Sequence, residues 1–200
     1  MSAVESTPDP GLQKINVKLF LDAPPGFESD FLLEIFGRWR LETGEEIVDL
    51  ADYAHVENGP GCLLISHRWH FGIDFAKGRP GLYYATRKGL SGGPYERFLQ
   101  ALAGLAQKSG RLLGEKEFPG SVKPRCGELE IVLNDRLLAP NTDPVDKELR
   151  PGLEKVIQKL YGPGAARVER ERDPGRRLGY TIEAPSGNKL SFEEFAGRLA

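Results

Sequence analysis

Every histidine in the chain falls between residues 55 and 70, in the stretch HVENGPGCLLISHRWH. His55, His67 and His70 stand there with Cys62; Asp49 and Asp52 come just before, Asp74 just after. Imidazole and carboxylate together are metal-ligand chemistry: zinc takes four such groups in a tetrahedron, and iron favours two histidines with one carboxylate. His67, His70 and Asp74 are the metal candidates, and the cofactor they would hold is a divalent ion, zinc or iron. Without metal, a histidine oriented by an aspartate is a general base. Asp52, His55 and His67 are the catalytic candidates on that reading.

The spacing is unspecific. No H-E-x-x-H or C-x-x-C pattern is present. His67 and His70 are three residues apart, which on a strand sends them to opposite faces, so only a turn or bulge would bring both to one ion. The plainer use of these histidines is in hairpins, paired with neighbouring strands or with carboxylates such as Glu57. Cys62 follows Gly61 ahead of an apolar run and reads as a small buried hydrophobe rather than a nucleophile.

Two further groups could bind ligand. In NDRLLAPNT, residues 134–142, Asn134, Asp135, Arg136 and Asn141 cluster where a strand gives way to a helix. Loops there often carry function, although Asn and Asp also build turns through bonds to backbone. In KGRPG, residues 77–81, Lys77 and Arg79 sit at a glycine-flanked hairpin tip that could hold an anion. The P-loop pattern is absent. Arg79, Asn134, Asp135, Arg136 and Asn141 are therefore the binding candidates. Toward the end of the chain Arg167, Arg170, Arg172, Arg176 and Arg177 alternate with Glu169, Glu171 and Asp173. That mixture reads as solvated cross-strand pairs, and it argues against a nucleic-acid partner, which would want one sign of charge and interleaved aromatics.

The elements that must position these residues are legible from periodicity. INVKLFL, residues 15–21, reads as a strand. Phe27, Phe31, Leu32, Ile35, Phe36 and Trp39 recur at helical spacing, with Gly44 as a stop. Strands follow around Ile47–Leu50, in CLLIS, in WHFGIDF and in LYYATR, separated by Gly/Pro turns, and together they suggest an antiparallel meander. A helix with Pro94 at its first position ends near Gly114. In ELEIVLND, Leu129, Ile131 and Leu133 face one way and Glu128, Glu130 and Val132 the other. Asp143 then caps a helix beginning at Pro144 and stopped by Gly162. Two strands joined by Asp173-Pro174-Gly175 and a short helix finish the chain, with Ser191 and Glu194 spaced as a capping box. Strands and helices do not alternate strictly, which excludes a doubly wound parallel sheet. The expected fold is α+β, a mixed or mostly antiparallel sheet with a central meander and helices packed on one face. Its parts are a flexible leader over residues 1–14, a core over 15–162 and a hairpin-helix appendage over 163–200.

Two hundred residues with 40% hydrophobic and 28% charged side chains can bury a core without disulfides or metal. The formal net charge of −2 gives no global attraction to phosphate backbones or anionic lipid. Two cysteines are too few for a secreted scaffold, the first residues lack a signal-peptide pattern, and no apolar run is long enough to span a membrane. A cytoplasmic protein is expected.

The strings DYAHVENGPGCLLISH, GRPGLYYATRK and NDRLLAPNT resemble a group of uncharacterised bacterial proteins across residues 15–162. The resemblance implies a bacterial origin and treats that span as a unit; it brings no activity with it. On the residues alone, the expectation is a binding or regulatory module for a partner protein or small ligand, with a homo-oligomer as corollary. The alternative is a metal-dependent or His/Asp acid–base enzyme with its site between residues 49 and 74.

Overall fold

The computed structural model describes residues 11–42, 47–53, 56, 59–185 and 190–200. His55, Glu57 and Gly44 lie outside these, as do residues 1–10 of the expected leader. The described elements are β1 (Ile15–Asp22), α1 (Phe31–Leu41), β2 (Ile47–Asp52), β3 (Pro60–Ser66), β4 (Trp69–Asp74), β5 (Gly81–Thr86), α2 (Pro94–Leu113), β6 (Lys123–Leu133), α3 (Asp143–Tyr161), β7 (Arg167–Arg170), β8 (Gly179–Glu183) and α4 (Phe192–Leu199).

All eight strands join one sheet in the order β2-β3-β4-β5-β1-β6-β8-β7, and every neighbouring pair is antiparallel. The fold is α+β, with the meander β2–β5 forming one half. Short Gly/Pro turns between consecutive strands suffice for that half, because adjacent antiparallel strands need only a hairpin. β1 is the exception: it lies between β5 and β6, far from either in the chain.

Alternation decides which face carries the core. Ile15, Val17, Leu19 and Leu21 of β1 point one way, with Phe71 and Ile73 of β4, Leu82 and Tyr84 of β5, Leu129 and Ile131 of β6, and Tyr180 and Ile182 of β8. The four helices pack on this face. α1 covers it with Leu32, Ile35, Phe36 and Trp39, all fully buried; α2 with Phe98, Leu102 and Leu105; α3 with Leu153, Val156 and Leu160; α4 with Phe195 and Leu199. Close helix approach relies on glycine: a Cβ on Gly152 of α3 would sit 2.7 Å from the Tyr95 backbone nitrogen of α2.

Local rules account for most boundaries. α2 begins at Pro94 and is capped by Gly114. Ser191 and Glu194 form the capping box of α4. The third helix differs slightly from expectation, since Thr142 is its cap and Asp143 its first residue. Proline at the second position remains compatible, because early helical N–H groups have no intrahelical partner. Residues 163–200 extend the same sheet through β8, which pairs with β6, and their Leu178, Tyr180, Ile182, Phe195 and Leu199 belong to the common core.

Candidate functional site

Four helices on one side leave the opposite sheet face uncovered by any of them, and that face collects the side chains with chemistry. Register puts Asn16, Lys18 and Phe20 of β1 level with Ala85, Tyr83 and Gly81 of β5 on one flank, and with Val132 and Glu130 of β6 on the other. His70, Gly72 and Asp74 of β4 continue the rows past β5, and Thr181 and Gly179 of β8 continue them past β6.

Two adjoining hollows lie on this face. The smaller, about 250 Å³, is lined by Asn16, Lys18, Leu63, His70, Asp74, Tyr83, Glu130, Val132 and Arg177. Lys18 is its most unusual member, a lysine only 4% exposed, with Nζ 2.5 Å from Asp74 Oδ2. Gly81 makes room for it, because a Cβ there would meet the lysine stem at 2.7 Å. Burial pushes the Tyr83 hydroxyl up to about 12, with Asp74 adding to the rise and Arg177 opposing it. Among the described residues, the amide oxygen of Asn16 is buried without a hydrogen-bond partner. Buried polar atoms are nearly always paired, so an orphan calls for an explanation.

The larger hollow, about 550 Å³, shares Glu130, Val132 and Arg177 with the first and runs to the β7–β8 end of the sheet. Lys77, Arg136, Arg170, Arg172, Arg176 and Arg177 all border it, against Glu130, Glu169 and Glu171. Several of these charges are paired: Lys77 with Glu130, Arg170 with Asp143 and Asp146, and Arg176 with Glu171 and Asp173. Arg136 donates to the Gly175 carbonyl. Among the described residues, Arg136, Arg172 and Arg177 have no carboxylate partner. The cross-strand pairs expected of this segment are not what neutralises its arginines: Arg170 turns to the acids of α3, and Arg176 pairs within the β7–β8 connection.

A strap between β4 and β5 borders the same face. It turns through Lys77, whose φ of 61° is the left-handed conformation uncommon for a residue with a side chain. Lys77 reaches Glu130, and Arg79 reaches Glu128 while lying 3.9 Å from the Phe20 ring centroid. Arg79 is thus tied down by the strap's own packing.

The candidates named from sequence are dispersed. His67 is exposed in the turn between β3 and β4. His70 lies on the open face with Nε2 3.3 Å from Arg87 Nη1; burial, then Arg87, lowers its pKa below the ordinary histidine value. Asp74 is engaged by Lys18. The set His67, His70 and Asp74 does not converge, and among the described residues no three His, Cys, Asp or Glu side chains could hold a metal ion. Asp52 ends the edge strand β2, level with Cys62. Burial pushes the Cys62 thiol up to about 12, with Asp52 adding to the rise, so it is a protonated core residue.

The loop candidates divide in the same way. Asp135 pairs with Lys14 at 3.4 Å and accepts from the Leu137 and Leu138 amides at 3.2 Å each; these contacts, the Leu138 amide foremost, hold its carboxyl below the usual range. Asn141 is buried, donates to the Glu171 and Asp173 carbonyls and accepts from Arg170, fastening the β7–β8 connection. Asn134 is exposed, with its backbone bonded to Lys14. Of this group, Arg136 borders the larger hollow. Sequence reasoning passed over Asn16, Lys18, Tyr83 and Glu130. The signal was present in INVKLFL, where alternation alone sends Asn16 and Lys18 away from the core face.

No family model, no curated protein and no solved structure matches the chain.

Proposed function

We propose that the protein is a ligand-binding module whose helix-free sheet face takes an anionic small molecule, seated on Arg136, Arg172 and Arg177. The observation that carries this reading is the convergence on one hollow of guanidiniums without carboxylate partners among the described residues, in a chain whose net charge is −2. Guanidinium is the side-chain group best matched to anionic oxygens, through its planar fork of donors. Two other arginines bordering this hollow, Arg170 and Arg176, are neutralised by carboxylates. A binding module is preferred to an acid–base or metal-dependent enzyme centred on Asp52, His55 and His67 because the described members of that set stand apart, and His70 and Asp74 are held by Arg87 and Lys18.

The reading includes a cytoplasmic location in a bacterial cell and, as a corollary, self-association along the edge strand β2, where Val48 and, just past the strand's end, Tyr53 are exposed. Among the described residues no helix is long and apolar enough to cross a membrane.

Thermal unfolding at low ionic strength, with phosphate, sulfate and pyrophosphate as probes, tests the proposal. A ligand at about 100 times its Kd stabilises by about 2.7 kcal/mol, a rise of roughly 5–10 °C for a chain of this size. The rise is expected with at least one anion, and it should vanish in the Arg172→Gln, Arg177→Gln double variant. No rise with any probe, or an equal rise in the double variant, overturns the proposal.

A further inference from the structure

We infer that the two hollows form one site for a phosphorylated polyhydroxylated molecule, with the phosphoryl group among the arginines and the polyol in the hollow beside Tyr83. This rests on the anion-binding reading above and adds the identity of the rest of the ligand. Arg177 borders both hollows, so one molecule spanning them would meet it at the junction.

The arginine side favours phosphoryl over carboxylate. A carboxylate has two oxygens and is satisfied by one guanidinium fork. Three guanidiniums without acid partners among the described residues, with the Thr181 hydroxyl on the same wall, suit a group with three terminal oxygens and up to two charges.

The other side is small and mixed in hydrogen-bonding character. Its volume of about 250 Å³ suits a compact group. Lys18 and the Tyr83 hydroxyl donate, Asp74 and Glu130 accept, and the Asn16 amide does both. A hydroxyl likewise donates once and accepts twice, so a run of hydroxyls matches such a lining better than any group of one polarity. The Asn16 oxygen, partnerless among the described residues, is the acceptor left for it. A flat nucleobase is disfavoured. Tyr83 has no second ring opposite it among the described residues, and the nearby Phe20 ring is covered by Arg79 and Lys18, so the stacking platform that bases use is missing.

Calorimetric titration of the full chain decides the matter. The probes are inorganic phosphate, glycerol 3-phosphate, ribose 5-phosphate, glucose 6-phosphate and adenosine monophosphate. At least one polyol phosphate should bind about tenfold or more tighter than both phosphate and the nucleotide, the gain from one or two well-made hydrogen bonds. Tyr83→Phe and Asn16→Val should each remove most of that advantage and leave the Kd for inorganic phosphate within about twofold. Asn16→Val replaces an amide oxygen that has no partner among the described residues, so its melting temperature should not fall. Phosphate binding with no polyol preference, a preference untouched by both variants, or tightest binding by the nucleotide overturns this inference and leaves the anion reading standing. Failure of every probe to bind overturns both.

Discussion

Removing the carboxylate of Asp74 tests whether the open face is built around a buried charge. Lys18 is 4% exposed and its ammonium has Asp74 at 2.5 Å as its ion-pair partner. Breaking a buried ion pair from one side costs about 3–5 kcal/mol, because the remaining charge stays desolvated and unpaired. Asp74 is 16% exposed and borders a hollow, so the low end applies to Asp74→Asn, about 3 kcal/mol. At about 2–4 °C per kcal/mol for a chain of this length, the melting temperature should drop by roughly 6–12 °C. Lys18→Met keeps the stem lying over Gly81 and leaves Asp74 free to turn toward water, for a cost of about 1 kcal/mol. The double variant removes both charges and should lie within about 1 kcal/mol of the wild type, since apolar replacements of buried pairs are often near neutral. Urea unfolding of all four proteins, at constant m, gives the coupling energy. The reasoning fails if Asp74→Asn costs less than about 1 kcal/mol, or if the two single effects simply add in the double variant.

Burial pushes the Cys62 and Cys126 thiols up to about 12, so neither should react with a thiol reagent at pH 8 until the chain unfolds; fast native labelling would contradict it. The carboxyls of Glu117 beside Arg38, Asp135 under the Leu138 amide, and Glu194 in its capping box are all held below their ordinary values. The unfolded chain then binds more protons, so the stability these groups contribute is present above the usual carboxylate range and declines as pH falls through it; a flat profile from pH 5 to pH 3 would refute this. His70, also held low, should titrate below the usual histidine value by NMR. Gly72→Ala would place a Cβ 2.3 Å from the Cys62 carbonyl oxygen, a backbone atom that cannot swing away, and should cost about 2–3 kcal/mol in urea unfolding. Ser191→Ala should cost about 1 kcal/mol through loss of the α4 cap, again by urea unfolding.

Elements dominated by local rules were readable from sequence. The alternation of Leu129, Ile131 and Leu133 marked the buried face of β6, Pro94 and Gly114 bounded α2, and Ser191 with Glu194 announced α4. The site was not readable, because its members are strangers in the chain. Lys18, Asp74, Tyr83, Glu130 and Arg177 come from separate strands and a loop, and become neighbours only when β1 inserts between β5 and β6. The histidine cluster drew attention because its members are close in sequence, yet one histidine ends in a turn and another on a strand face. INVKLFL looked like a uniform apolar run, so its two polar members were not weighed as a face.

The placement of β1 also has a consequence in time. The first described strand is a central one, and the backbone N–H of Ile15 bonds to Thr86, 71 residues further on. A ribosome adding about 5–20 residues per second needs roughly 4–14 s to make that interval, and longer before β6 closes the other side. Throughout that delay Val17 and Leu19 lack Tyr84 and Leu82, the β5 residues they pair with in the sheet. The nascent chain thus carries an unpaired apolar strand until β5 is made, the kind of exposure that slows folding and invites association with other chains. The meander β2–β5, whose strands pair in chain order, can assemble first and offer β5 as the edge on which the waiting strand docks.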